Sequence, residues 1–236
     1  MLLLGIDTST RRVGVVLASE RGLVARVELG DAVGATSPRH AEVLAPTIDY
    51  ACRQAGVTVD HLSAIAVGVG PGMFTGLRVG VTTAKVLAYA LRIPVIPIPS
   101  LDLLAYPLRH SRAVVVPAID ARRHEIYFAR YRTVPGGVQR ESDYELGTAE
   151  ALASELSARG EEALLCGDGA LRFAAEFAEV DHLEFAGIAH SAPSLSALAE
   201  LAVGRYEREE FTAAADVLPL YLRRSDAEIS WEARSA

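Results

Sequence analysis

Apolar residues occur in short runs separated by polar turns. Leu2 to Ile6 is the first run, and Asp7-Thr8-Ser9-Thr10 closes it with a polar turn. Val13 to Ala18 and Leu23 to Leu29 follow, joined through Glu20-Arg21-Gly22. Runs of this length between turn residues predict three strands. After a glycine-rich stretch, Gly30 to Ala35, the period changes. Ala41, Leu44, Ile48, Ala51 and Ala55 recur at helical spacing. Ser37 suits the cap, Pro38 the first turn and Gly56 the stop. Leu62 to Val69 predicts a buried strand. Gly70-Pro71-Gly72-Met73-Phe74 predicts a turn, and Thr75 the cap of a second helix ending near Leu91. A short strand at Val95 to Ile98 and a helix at Leu101 to Leu108 complete the first half.

The second half restarts with predicted strands at Ala113 to Ile119 and Glu125 to Arg132, then a loop at Pro135-Gly136-Gly137. Thr148 to Arg159 and Ser194 to Glu207 have helical period. Ala163 to Cys166 reads as a short strand, Gly167-Asp168-Gly169 as a turn, and Val217 to Leu222 as a strand or turn. The tail from Arg223 is polar and expected to be loose. One echo links the halves. Leu3-Leu4-Gly5-Ile6-Asp7 precedes Arg11-Arg12 and a strand; Val115-Val116-Pro117-Ala118-Ile119-Asp120 precedes Arg122-Arg123 and a strand. A strand, an aspartate turn and a returning strand occur twice, which predicts a duplicated α/β fold with two similar lobes.

The second helix is the most informative element. Leu77, Val81, Ala84, Ala88 and Leu91 form one apolar stripe, and Val79, Val86 and Ala90 form another on a different side. A helix apolar on two faces is buried on two faces. The first helix carries Val43, Thr47 and Tyr50 away from its own stripe. Two helices with spare apolar surface predict an interface with another chain; the plainer reading is cover by other elements of the same chain.

Composition then narrows the chemistry. Half of the 236 residues are hydrophobic, enough for a real core. No apolar run approaches the length of a membrane span. The N-terminal run has no basic flank and ends at Asp7, so it reads as a strand of a cytoplasmic protein rather than a signal sequence. Cys52 and Cys166 are far apart and read as reduced, partly buried thiols. The net charge is −7, a poor basis for binding RNA alone. The pairs Arg11-Arg12, Arg122-Arg123 and Arg223-Arg224 could join a shared RNA surface, although solvated turns are the plainer reading.

A strand ending in Asp7-Thr8-Ser9-Thr10 and returning as a hairpin matches the first phosphate loop of actin-like ATPases. Its hydroxyls and backbone N–H groups can cradle phosphate, and its aspartate can hold a hydrated metal. The second such loop would be Asp120-Ala121-Arg122-Arg123, which has no glycine to let the backbone approach a phosphate. Gly70-Pro71-Gly72 before a helix could hold an anion weakly, with a structural turn the plainer reading. A Walker A loop is absent, because the sole lysine, Lys85, is mid-helix, and Gly68-Val69-Gly70-Pro71-Gly72-Met73 lacks the last glycine of a dinucleotide motif. The six histidines, His40 among them, form no pair four apart, and no nucleophile motif occurs.

Together these segments resemble the TsaB (YeaZ-like) family: Leu4 to Ser9, Arg39 to Pro46, Gly70 to Gly80, Ile119 to Tyr127 and Pro219 to Arg223. The resemblance implies an actin-like (ASKHA) fold with lobes over residues 1–108 and 109–236, the chain end packing back on the first lobe. It implies a non-catalytic subunit of the machinery that forms threonylcarbamoyladenosine in tRNA. The implied partners are a TsaD-like catalytic subunit and a TsaE-like ATPase, with ATP and a metal in those subunits and tRNA bound by the complex. A homodimer in isolation is the other expected assembly. The sister family TsaD carries a His-x-x-x-His metal pair; by alignment those positions are Ser100 and Leu104, which cannot replace an imidazole. The implied interface residues are His40, Val43, Thr47 and Tyr50 on the first helix, with Arg78, Thr82 and Val86 on the second. The vestigial phosphate loop is Asp7 to Thr10. The competing readings are an actin-like small-molecule kinase and a metallopeptidase-like hydrolase.

Overall fold

The computed structural model describes residues 1–30 and 39–223. Ser37, Pro38, most of the glycine-rich stretch and Arg224 onward therefore lie outside the described residues. The first half contains β1 (Leu2–Asp7), β2 (Val13–Ser19), β3 (Gly22–Leu29), α1 (His40–Gln54), β4 (Ala64–Gly68), α2 (Phe74–Leu91), β5 (Val95–Ile98) and α3 (Ser100–Ala105). The second contains β6 (Val114–Arg122), β7 (Glu125–Phe128), β8 (Tyr131–Val134), β9 (Gly137–Arg140), β10 (Glu145–Thr148), α4 (Ala149–Arg159), β11 (Ala163–Cys166), α5 (Asp168–Arg172), β12 (Leu183–Phe185) and α6 (Leu195–Glu207).

The strands form two sheets with one plan. The first has the order β3-β2-β1-β4-β5, and the second β10-β7-β6-β11-β12. In each, the first three strands in that order pair antiparallel and the last three parallel. β1 therefore corresponds to β6, and Asp7 to Asp120, as the sequence echo predicts. The hairpin β8–β9 is an addition, joined to β6 at Val115 and Tyr131.

Alternation along β1 and β2 sorts residues to opposite faces of the first sheet. Leu4, Ile6, Val15 and Leu17 pack under α1 and α2, with Leu44, Ile48, Val81 and Ala84. Leu3, Val16 and Ala18 pack under α6, with Leu195 and Leu198. The second sheet is covered by α4 and α5 on one face and by α3 on the other. The halves thus exchange helices: α3 serves the second sheet and α6 the first. Asp102 of α3 fastens this exchange by accepting the hydroxyls of Tyr131 at 2.6 Å and Tyr144 at 2.9 Å.

Several sequence expectations are corrected. α2 begins at Phe74, before Thr75, with Met73 at the cap and no side-chain cap bond. It is anchored by backbone instead: the Met73 N–H donates to the Ser9 carbonyl at 2.7 Å. The single strand expected over Glu125 to Arg132 breaks at Ala129-Arg130, since β7 pairs with β10 while Tyr131 crosses to Val115. Leu101 to Leu108 is an α-turn followed by a 3-10 turn. Val217 to Leu222 forms no strand and is held by the Leu220 N–H on the Val69 carbonyl at 2.7 Å. The predicted turn at Asp168 is a short helix. The strands β9, β10 and β12 had no apolar run to announce them.

Candidate functional site

The loop after β1 is closed by its own chain. Ser9 donates its backbone N–H at 3.2 Å and its hydroxyl at 2.9 Å to Asp7 Oδ1. Thr8 Oγ1 donates to the Gly76 carbonyl at 2.7 Å, and His40 Nε2 donates to the Thr10 carbonyl at 2.7 Å. The helix α2 lies against this loop through Gly76 and Gly80, one turn apart. A Cβ at Gly76 would fall on the Thr8 carbonyl oxygen, and one at Gly80 on Thr8 Oγ1, both far inside van der Waals contact. Only glycine permits that approach.

Asp7 is buried, and among the described residues its Oδ2 has no hydrogen-bond partner. Burial raises its pKa from 3.8 to about 6, against the lowering effect of the Ser9 bonds. The space beside it is about 10 Å³, lined by Thr10, Arg12, Gly14 and Glu28 among others. That is room for about one water. A phosphate with its hydrated metal does not fit there.

The interface residues named from sequence divide into two groups. His40 is 2% exposed and braces the Thr10 carbonyl; Thr47 is buried and donates to the Val43 carbonyl at 2.7 Å. In the isolated chain neither side chain is open to solvent: His40 faces the loop at Thr10, and Thr47 bonds its own helix. Val43 is partly buried against the core. Tyr50 (49%) and Val86 (61%) are exposed, as are Arg78 and Thr82. Tyr89, which the sequence reading passed over, is 82% exposed. At 100° per residue, Arg78, Thr82, Val86 and Tyr89 fall on one face of α2. Its position three residues after Val86 was the signal available. The helices α1 and α2 pack against each other, and Tyr50 is an exposed aromatic residue of α1. The second stripe read as Val79, Val86 and Ala90 is thus partly covered: Val79 joins the core, while Val86 and Ala90 are open.

Ser100 and Leu104 are core residues. The Ser100 hydroxyl accepts the Gly70 N–H at 3.1 Å, and Leu104 packs with Val115 and Ile119. Among the described residues, no three His, Cys, Asp or Glu side chains are grouped to hold a metal. Cys52 and Cys166 are both free and buried, and burial pushes both thiols up.

Between the sheets lies a cleft of about 490 Å³. Its walls come from the start of α2 (Gly72 to Thr75, and Arg78), the β6–β7 turn (Asp120 to Arg123, with Tyr127) and the segment Leu220, Tyr221 and Arg223. Asp120 accepts Arg172 at 2.7 Å and lies 3.5 Å from Arg122. The Asp168 carboxylate accepts the Asp120 N–H at 3.0 Å, and burial raises its pKa. The turn itself is left-handed at three consecutive residues, Arg122 (φ 62), Arg123 (φ 54) and His124 (φ 61). Each costs roughly 1–2 kcal/mol in a residue bearing a Cβ. The expected absence of a glycine here therefore has a visible consequence in backbone strain. Arg223 pairs with Glu125 and donates to the Ala121 carbonyl at 2.8 Å, fastening the turn to the segment that carries Leu220 and Tyr221.

Among the described residues, no helix is long and apolar enough to cross a membrane. A family model described as TsaD, tRNA N6-adenosine threonylcarbamoyltransferase, matches residues 34–231. The chain is 36% identical over 229 residues to an uncharacterized protein of Mycobacterium tuberculosis, covering 95% of this chain and 93% of that one. It is 32% identical over 243 residues to the tRNA threonylcarbamoyladenosine biosynthesis protein TsaB of Haemophilus influenzae, covering 98% and 96%. A Pseudomonas aeruginosa structure described as similar to peptidase YEAZ superposes with a TM-score of 0.78 at 30% identity, over 94% of this chain and 99% of that one. A ROK hexokinase from Thermus thermophilus shares the actin-like fold alone, with a TM-score of 0.50 at 17% identity, over 86% of this chain and 100% of that one.

Proposed function

The chain belongs to the TsaD family, as a TsaB-like member, and on that premise we propose that it is a subunit of the cytoplasmic machinery forming threonylcarbamoyladenosine in tRNA. Its part there is non-catalytic: it docks on a TsaD-like catalytic subunit and holds that subunit's cleft in a working shape. Such a population shift requires contacts that differ between the partner's states. ATP and the metal belong to the partner subunits, a TsaE-like ATPase among them, and tRNA is bound by the assembled complex.

The observation that carries this reading is the exposed apolar face of α2 at Val86 and Tyr89, with Tyr50 exposed on the neighbouring α1. Large aromatic residues left open beside an aliphatic one are the composition of an interface centre. Arg78 and Thr82 continue the same side and supply its polar margin. The sealed Asp7 loop, and the burial of Ser100 and Leu104 in the core, support the non-catalytic reading. In the absence of its partner, the same side would bring two copies together.

The test is light scattering after chromatography, with the TsaD-like protein of the same organism. We expect a stoichiometric complex, lost with Val86→Glu and weakened at least about tenfold by Tyr89→Ala. If no complex forms under any nucleotide condition, the scaffold reading fails and an actin-like kinase becomes the leading alternative.

A further inference from the structure

The segment from Phe211 to Arg223 has one 3-10 turn, Ala214–Asp216, and otherwise no regular element, yet it is held along its whole length. It starts on the first sheet, where Thr212 and Val95 of β5 exchange two backbone hydrogen bonds, at 2.9 and 3.1 Å. Val217 is buried in the core beneath α1 and α2, and Ala214 packs against the same cluster. The Leu220 N–H donates to the Val69 carbonyl, and the Tyr221 ring lies 5.1 Å from that of Phe74. The segment ends on the β6–β7 turn, where Arg223 pairs with Glu125 and donates to the Ala121 carbonyl. One clip sits between these ends. Lys85, the sole lysine of the chain, donates from Nζ to the carbonyls of Ala215 at 3.0 Å and Val217 at 2.9 Å. We propose that this segment is a strap, clipped by Lys85, that couples α2 to the β6–β7 turn. The proposal rests on the docking reading only for what α2 does; the strap itself is built from bonds within this chain.

An ammonium carries three N–H donors, and a hydrogen bond from a charged donor is stronger than a neutral one. Among the described residues Lys85 pairs with no carboxylate, so its charge is spent on the two carbonyls. Those carbonyls belong to a stretch with no sheet or helix ladder, and Lys85 satisfies them in its place. Lys85 and Phe74 stand about 16 Å apart along α2. The strap therefore runs along α2 from its middle to its first turn, against the direction of the helix. Lys85 is one helical turn from both Thr82 and Tyr89. The clip thus adjoins the exposed stripe, where a docked chain alters its freedom. At its other end the strap bears on strain. Arg122, Arg123 and His124 are left-handed, and such a turn persists only where its surroundings over-determine it. Arg223 braces it through Ala121 on one side and Glu125 on the other. Two states follow. With the strap clipped, Arg223 is held at the turn; with the strap released, the turn loses that brace and relaxes. A partner that favours the clipped state on α2 thereby favours the strained turn without touching it.

Native-state hydrogen exchange of the full chain, read residue by residue by NMR, tests this. Thr212 and Leu220 report on the strap. Arg122, whose N–H donates to Asp120 Oδ1 at 2.9 Å, reports on the turn. Gly160, whose N–H donates to the Leu156 carbonyl at the end of α4, is the remote control. Lys85→Met keeps the apolar stem and removes the donors. It should speed exchange at Thr212, Leu220 and Arg122 about tenfold, the loss expected of one charged hydrogen bond, and leave Gly160 unchanged. Lys85→Arg restores donors and should keep most of the protection. Arg223→Gln cuts the strap at its other end, and because coupling is reciprocal it should speed Thr212 as well as Arg122. The proposal is overturned if Lys85→Met leaves the strap amides unchanged, frees them without freeing Arg122, or speeds Gly160 equally. It is also overturned if Arg223→Gln is felt at Arg122 and not at Thr212. In a complex with the TsaD-like protein of the same organism, Leu220 and Arg122 should exchange more slowly than in the free chain. Unchanged exchange in that complex would overturn the coupling and leave the docking standing. If no complex forms, the scaffold reading fails, and exchange in the free chain still decides the strap.

Discussion

The two sheets share one strand plan, yet their matching aspartates have opposite surroundings. Asp7 ends β1 beneath an 18-residue helix whose glycine face presses on the loop. It keeps an unpartnered oxygen and a pKa raised by burial. Asp120 lies near the end of β6, beside a helix of 5 residues, and is paired with Arg172 of that helix and with Arg122. The strands set where each carboxylate stands. The element after the fourth strand of each plan sets whether it is sealed or faces an open cleft. A long helix free of side chains at the contact closes one site, and a short one with an arginine at its end leaves the other open.

The largest expected effect comes from breaking the seal. Gly76→Val would drive a side chain into the Thr8 carbonyl and should cost on the order of 3 kcal/mol in denaturant unfolding. Ala151→Val, on the exposed face of α4, should cost well under 1 kcal/mol. Similar losses in both variants would show that the α2 contact is not tight.

Asp7 itself sharpens the comparison. Its folded pKa, about 6, lies above the ordinary 3.8. The fold therefore favours the protonated form, and the sign is set: this contribution is full below about pH 4 and lost as pH rises through 6. A shift of that size corresponds to about 3 kcal/mol as an upper figure. Asp7→Asn should stabilise the protein by about 1–3 kcal/mol at pH 8 and flatten its stability between pH 4 and 6. Stability profiles of the same shape for variant and wild type would contradict a buried, unpaired carboxylate.

The smallest effect concerns the other turn. Arg123→Gly relieves one left-handed residue and should stabilise by up to about 1 kcal/mol, read as a rise of about 2–4 °C in Tm. A variant that loses stability would deny the strain.

Much of this was legible in the chain. Period-two and period-3.6 patterns located β1, β2, β3, α1, α2 and α4, and the Asp7 and Asp120 echo announced the repeat. Val86 and Tyr50 were readable as spare apolar surface because they interrupt a helical stripe. His40 and Thr47 were not. Both occupy helix positions that a wheel leaves ambiguous, and the loop at Thr10 that buries His40 is thirty residues away. The short strands β9, β10 and β12 were missed because pairing partners, rather than their own composition, make them strands.

The sequence by itself determined the strand order's raw material, the repeat and the amphipathic faces, since these depend on side-chain periodicity within one element. Only the tertiary structure decided that Gly76 and Gly80 seal the Asp7 loop and that α3 and α6 exchange sheets. It alone gathered Arg78, Arg122 and Arg223 into one cleft. Those outcomes depend on packing and charge between segments far apart in the chain, where local pattern carries no information.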